Sequence, residues 1–212
     1  MMFNFILKMD MFITNLIGNS STNILNNLFS KETLDIFFKI ITKFGEGYFE
    51  IFIVIFLYFL IKYRKKSEYY IWIKGVVYTF ITSTIVVSIL KRVIGRERPY
   101  VSFDPDRFYG IQYLYEHGLI NNARFHSFPS GHTITIFVTV WFLFFNLKNR
   151  VLKICLLILG VFVGISRIYL LYHWTSDVLT SIILSYFIAR IIDKKLKMEK
   201  SMIKFNIVEN RC

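Results

Sequence analysis

Cysteine is nearly missing from this chain of 212 residues: Cys155 lies inside an apolar run and Cys212 at the C-terminal end. No disulfide framework and no zinc-type spacing can be built from that pair. Internal repeats and low-complexity linkers are absent as well, which leaves one domain as the expectation. Acidic residues are scarce, 14 against 26 Lys and Arg, giving a formal net charge of +12. Such a balance could attract nucleic acid. The cations, however, sit in short loops between apolar runs, as at Lys62-Tyr63-Arg64-Lys65-Lys66. Anchoring at anionic lipid headgroups accounts for that placement more simply, so no nucleic-acid partner is expected. The N-terminus lacks the layout of a signal peptide, because Lys8 and Asp10 break its apolar stretch and no small-residue cleavage site follows.

What the chain has in abundance is apolar length. It is 55% hydrophobic and 18% aromatic, too apolar for a soluble domain. Five clear spans are expected at 48–61, 69–90, 133–147, 154–172 and 174–192. Residues 3–17 and 33–44 are apolar but interrupted by charge. They read as amphipathic interfacial helices, and a sixth span is expected to hide among them. The expected organisation is therefore three-part. Residues 1–44 form the interfacial region, 45–192 the transmembrane core and 193–212 a basic cytoplasmic tail. The fold class is all-α, a polytopic membrane helical bundle.

Charge placement orients the spans. The basic clusters at 62–66, 148–153 and 190–204 fall on one side if each span crosses once, and the positive-inside tendency makes that side cytoplasmic. The remaining ionisable clusters, 91–98, 130–132 and 167–177, then meet on the opposite, extracytoplasmic face. Ionisable residues at such depths are costly and point to function.

Each cluster carries a chemical possibility beside a plainer one. In Lys91-Arg92-Val93-Ile94-Gly95-Arg96-Glu97-Arg98-Pro99, Lys91 and Arg98 are two helical turns apart and could share a face. Pro99 biases Arg98 toward extended backbone, so the helix should end about there. Both could equally be snorkelling helix-end cations, and Arg92 and Arg96 are best explained as headgroup anchors. In Pro129-Ser130-Gly131-His132, Ser130 is a natural N-cap, Gly131 permits close backbone approach and the helix start attracts phosphate. An ordinary capped helix with an interfacial histidine would look the same. In 166–177, His173 and Asp177 are four apart and can share a helix face. Arg167 precedes His173 by six, so a turn must lie between them. The plainer alternative is an ion pair between Arg167 and Asp177. Together the three clusters supply cations, amides, two histidines and a carboxylate, the parts needed for in-line phosphoryl transfer.

In their order and spacing, Lys91-x6-Arg98-Pro99, Pro129-Ser130-Gly131-His132 and Ser166-Arg167-x5-His173-x3-Asp177 resemble the three-part signature of the type-2 phosphatidic acid phosphatase superfamily. The resemblance covers 91–177 strongly and the N-terminal 44 residues least. It implies that His173 attacks phosphorus and becomes a transient phosphohistidine, with Asp177 fixing its tautomer. It implies that His132 protonates the leaving alkoxide and then activates water. Lys91, Arg98 and Arg167, with Ser130 and the Gly131 amide, would cradle the phosphate oxygens, so no metal or other cofactor is expected.

The expected function is hydrolysis of a lipid phosphate monoester or pyrophosphate at the outer face of a bacterial cytoplasmic membrane. Candidate substrates are phosphatidic acid, phosphatidylglycerol phosphate, undecaprenyl diphosphate and a glycolipid such as lipid A. The bilayer and its lipid phosphates are the expected partners, with no obligate protein partner. A lipid phosphotransferase using the same site, or an anion transporter or channel, are the alternatives. His117 and His126 fall outside the pattern and are expected to be solvent-facing or structural. The aromatic loop 100–128 is expected to be an interfacial belt or a lid, with Arg107 and Arg124 as possible headgroup contacts. Trp174 is expected at the interface.

Overall fold

The computed structural model describes residues 2–18, 29–64 and 68–209. Among these residues eight α-helices run in the order α1 (Met2–Ile17), α2 (Lys31–Thr42), α3 (Gly47–Arg64), α4 (Glu68–Ile94), α5 (Gly110–Glu116), α6 (Gly131–Asn146), α7 (Arg150–Tyr169) and α8 (Thr175–Glu209). The expected spans correspond to α3, α4, α6, α7 and α8. Among the described residues three helices meet the length and hydropathy of a membrane span: Tyr70–Ile94, Arg150–Tyr169 and Thr175–Met202. Gly47–Leu60 and Gly131–Asn146 are apolar but shorter. The expected tail at 193–212 continues α8 as far as Glu209, and Cys212 lies outside the described residues.

Helix α6 is apolar all round and is the axis of the bundle, packed against α4, α7 and α8. Ile134, Ile136, Phe137, Val138, Val140 and Phe142 are all buried. The neighbouring helices give way to it with glycine. A Cβ placed on Gly75 of α4 would lie inside the Phe142 ring, and one on Gly160 of α7 would lie 3.0 Å from the Phe137 ring. Close approach at small residues is how helices associate where lipid removes the hydrophobic drive. The outer surface shows the complementary pattern. Phe52, Phe56, Ile81, Ile85, Ile158 and Phe187 are exposed, while Thr79 and Ser83 are buried and return their hydroxyl hydrogen bonds to Val76 O and Phe80 O of their own helix. Apolar groups outside and self-satisfied hydroxyls inside suit a lipid solvent.

Helix α1 lies over the end of the bundle that carries the three motifs. Phe3 meets Phe108 at 6.1 Å between ring centroids, Asp10 bonds Ser176, and Gly18 packs on Leu171. Helix α2 packs on the same end of α7, where Phe38 meets Tyr169 and Tyr169 Oη donates to Asp35. Ser30 caps α2 by accepting from Thr33 N–H.

Three expectations are corrected by the tertiary contacts. Helix α4 stops at Ile94, short of Arg98, because Gly95 takes φ +59°, the left-handed conformation that ends helices at glycine. Lys91 and Arg98 therefore do not share a helix face; Arg98 comes from extended chain, its N–H bonded to Arg124 O. Arg96, expected at headgroups, is only 1% exposed and lies inside the protein. Trp174, expected at the interface, is fully buried, with its indole N–H donating to Glu97 O. The 100–128 segment is ordered by α5 and by ring contacts such as Tyr109 with Tyr113 and Phe125. Arg107 is engaged by Asp104 and Glu97. His117 bonds Tyr113 O and stacks on its ring, while His126 Nε2 bonds Ile120 O.

Candidate active site

The turn between α7 and α8 is shaped by its own backbone. Tyr172 N–H and His173 N–H both donate to Arg167 O, and Leu171 takes φ +57°. This reversal puts Arg167, on the last turn of α7, beside His173, as the six-residue gap required.

His173 is 1% exposed. Its Nδ1 lies 2.5 Å from Ser127 O, so Nδ1 carries the proton and Nε2 keeps its lone pair. Asp177 Oδ2 stands further off, 3.8 Å from Nδ1. That oxygen accepts instead from Ser127 Oγ at 2.6 Å and from Trp174 N–H at 2.9 Å. The direct holder of the ring is thus the Ser127 carbonyl, and Asp177 grips the residue that offers it. Burial pushes the His173 pKa down to about 3; Arg167 and Arg98 push the same way, while Asp177 opposes them. The imidazole is accordingly neutral at ordinary pH.

The cations converge on the same place. Arg167 is 5% exposed, donates to Thr42 Oγ1 at 2.7 Å and stacks over the Tyr172 ring at 4.5 Å. Arg98 flanks Tyr172 at 5.7 Å and donates to His126 O at 3.4 Å. Each keeps a buried Nε–H without a protein acceptor, a donor set suited to anionic oxygens. Burial lowers the Arg98 pKa from its usual value. Lys91 Nζ lies 3.4 Å from where a Cβ on Gly131 would be, against the start of α6.

Ser130 is the N-cap residue of α6, but its side chain caps no backbone N–H. Its hydroxyl pairs with Thr133 Oγ1 and its N–H donates to Ser181 Oγ. His132 is within electrostatic reach of Arg167, Lys91 and Arg98. It faces Glu46 with Nε2–Oε1 at 3.9 Å. A Cβ on Gly45 would lie 2.7 Å from His132 Cβ, so the Gly45-Glu46-Gly47 break is pressed onto the histidine. His132 and Glu46 line a groove of about 470 Å³ that continues along Phe80, Thr84 and Val87 of α4.

The structure therefore gathers Lys91, Arg98, Gly131, His132, Arg167, His173 and Asp177 at one end of the bundle, with Ser130 buried behind them. In the sequence Ser127 and Glu46 carry no mark of function, and Arg96 reads as a headgroup anchor. Nothing in residue type marks a serine whose carbonyl matters. Arg96 and Glu46 were readable only as part of a basic run and a helix break.

The chain matches the PAP2 superfamily over residues 72–199. It is 30% identical over 155 residues to the lipid A 1-phosphatase of Rhizobium etli, covering 68% of this chain and 63% of that one. It is 30% identical over 130 residues to phosphatidylglycerophosphatase B of Bacillus subtilis, covering 56% of each. It thus spans under two thirds of the length of these curated relatives. Among solved structures, LpxE of Aquifex aeolicus superposes with a TM-score of 0.59 at 23% identity, over 76% of this chain and 86% of that one. The PAP2-type phosphatidylglycerolphosphate phosphatase of Bacillus subtilis superposes with a TM-score of 0.60 at 21% identity, over 92% and 88%. The solved structures share this helical fold. The chain belongs to the PAP2 superfamily, whose family model it matches over more than half of its length.

Proposed function

We propose that the protein is a membrane lipid phosphatase that works through a phosphohistidine. The observation that carries this is His173, buried and neutral, with Nδ1 held by Ser127 O so that Nε2 is the nucleophilic atom. Nε2 attacks phosphorus while the bond to the lipid oxygen breaks, and His132, as the imidazolium favoured by the bound phosphate dianion and by Glu46 at 3.9 Å, gives that leaving oxygen a proton and becomes neutral. Water then attacks the phosphohistidine, returns a proton to His132 and leaves as part of inorganic phosphate. Arg98, Arg167, Lys91 and the Gly131 amide stabilise charge on the phosphoryl oxygens. The ring turns cationic when Nε2 bonds phosphorus and Nδ1 keeps its proton, and the Asp177 carboxylate favours that form.

The substrate class is a lipid phosphate monoester or pyrophosphate. The groove beside His132 opens between α3, α4 and α6 along apolar side chains, a path for an acyl chain that leaves the phosphate at the histidines. The names of the relatives, a lipid A 1-phosphatase and a phosphatidylglycerophosphatase, support the same class. This reading takes five crossings, with α1 and α2 resting on the motif-bearing end. The C-terminal end of α3, with Lys62, and the start of α7, with Arg150 and Lys153, lie at the other end, which supports a site on the extracytoplasmic side of a bacterial cytoplasmic membrane. The 45–192 core holds the chemistry, and α1 and α2 cover it.

Purified protein in detergent with EDTA, offered a panel of lipid A, phosphatidylglycerol phosphate, phosphatidic acid and undecaprenyl diphosphate, should release inorganic phosphate from at least one. His173→Ala should abolish release while the protein stays folded. Full turnover in His173→Ala would overturn the nucleophile. Vectorial anion movement in liposomes, unaffected by His173→Ala, would point to a transporter.

A further inference from the structure

Arg96 belongs to no part of the three-part signature, yet it sits in the most heavily bonded polar cluster at the site. It is 1% exposed. Its Nη1 donates to Asp177 Oδ1 at 2.5 Å and to Ser176 Oγ at 2.7 Å. Its Nη2 donates to Asp10 Oδ2 at 2.7 Å and to Pro105 O at 3.0 Å. The face of its guanidinium lies 4.8 Å from the Phe108 ring and 5.5 Å from the Trp174 ring. Asp10, also 1% exposed, accepts from Ser176 N–H at 2.7 Å and from Ser176 Oγ at 2.6 Å.

A cluster of this kind is expensive to bury unless each charge is paired and bonded. Here one guanidinium is shared by two carboxylates, on α1 and α8. Its planar fork holds both at once and reaches a carbonyl as well, which an ammonium could not do in one position. The connection runs on without a break. Asp10 fixes Arg96 and Ser176, Arg96 fixes Asp177 Oδ1, Asp177 Oδ2 fixes Ser127 Oγ, and Ser127 O holds His173 Nδ1. The cluster also carries a formal excess of one negative charge, on the side of His173 that must accommodate a cationic ring during phosphoryl transfer.

We infer that Arg96 and Asp10 are positioning residues for the nucleophile: α1, through Asp10, completes the support of Asp177 and so sets the geometry and charge at His173. This rests on the phosphatase reading above, and it assigns a role to a segment outside the 72–199 family match.

Arg96→Lys and the isosteric Asp10→Asn test it, the second guarding against a folding defect in the first. Both are compared with wild type for phosphate release, for KM, for melting temperature in detergent and for orthovanadate affinity by calorimetry. Misplacing a reacting group by a fraction of an ångström to an ångström costs up to about a hundredfold. Arg96→Lys should therefore lower kcat by roughly 10- to 100-fold and Asp10→Asn by roughly tenfold, with KM within about twofold. Vanadate affinity should fall in parallel with kcat. The double variant should lose less than the product of the two, because both act on one carboxylate. Wild-type kcat and vanadate affinity in both single variants, or a loss of kcat matched by loss of folded protein alone, would overturn the inference. Wild-type protein that neither binds vanadate nor releases phosphate would instead overturn the phosphatase reading, and this inference with it.

Discussion

Ser127→Ala separates two accounts of how His173, the proposed nucleophile, is held. If Asp177 acts on His173 directly, the Ser127 hydroxyl is incidental. If Asp177 acts by anchoring Ser127, losing that hydroxyl loosens the carbonyl that orients the ring. The structure favours the second, with Ser127 Oγ 2.6 Å from Asp177 Oδ2 and the ring nitrogen 3.8 Å from the same oxygen. The substitution removes one buried oxygen and leaves the carbonyl in place, so it creates little cavity. A hydrogen bond to a charged acceptor contributes about 1.5–3 kcal/mol, and each 1.4 kcal/mol is about a factor of ten in rate. If that bond keeps the ring in attacking geometry, kcat falls about 10- to 150-fold. Arg98, Arg167 and Lys91, the proposed phosphate cradle, are untouched, so KM stays within about twofold of wild type. The assay is phosphate release under saturating lipid substrate in detergent, with a rapid-quench measurement of phosphoenzyme formation. Slowed formation with normal hydrolysis is the expected signature. A Ser127→Ala enzyme with kcat within twofold of wild type would refute the reasoning, because Asp177 would then not act through Ser127.

Two further outcomes follow from the same geometry. The folded pKa of His173 is pushed down to about 3, whereas an unfolded histidine titrates near 6.5. Below that unfolded value the unfolded chain takes up a proton that the folded chain refuses, so stability falls as pH drops from about 6.5 toward about 3, by up to roughly 1.4 kcal/mol per pH unit. Melting curves of wild type and His173→Gln between pH 4 and 8 should converge as pH falls; parallel curves would contradict the buried neutral histidine. The orientation is checked by labelling intact cells of an Asp104→Cys variant, made in a Cys155→Ser, Cys212→Ser background. Asp104 is exposed on the motif-bearing side, so an impermeant maleimide should react from outside. Protection from outside and reaction only after permeabilisation would reverse the orientation.

Much of this was legible before folding because the bilayer writes in composition. An apolar run must become a helix where no water can satisfy its backbone, so the five long helices could be placed from hydropathy alone. The parity of their basic loops brought the three charged segments to one end, and the six-residue gap between Arg167 and His173 demanded the turn that the chain makes there. Residue type sufficed for these features because each is a local property repeated along the chain.

What the sequence could not decide was which charges meet. Arg96 and Arg92 sit in one basic run, yet Arg92 is exposed and bonds Ser88 O, while Arg96 is buried between two carboxylates. The difference arises because Gly95 turns the chain inward, and because α1 delivers Asp10 from 86 residues away. Asp10 looked like a flaw in an apolar stretch, although a lone carboxylate at such a place is itself a sign of a buried partner. The Ser127 carbonyl left no sign at all, since every residue has one. Hydropathy and spacing determined that two histidines, an aspartate, cations and a helix start share one end of the bundle. Tertiary packing alone decided what holds His173, because that depends on contacts between segments whose separation along the chain carries no record of their meeting.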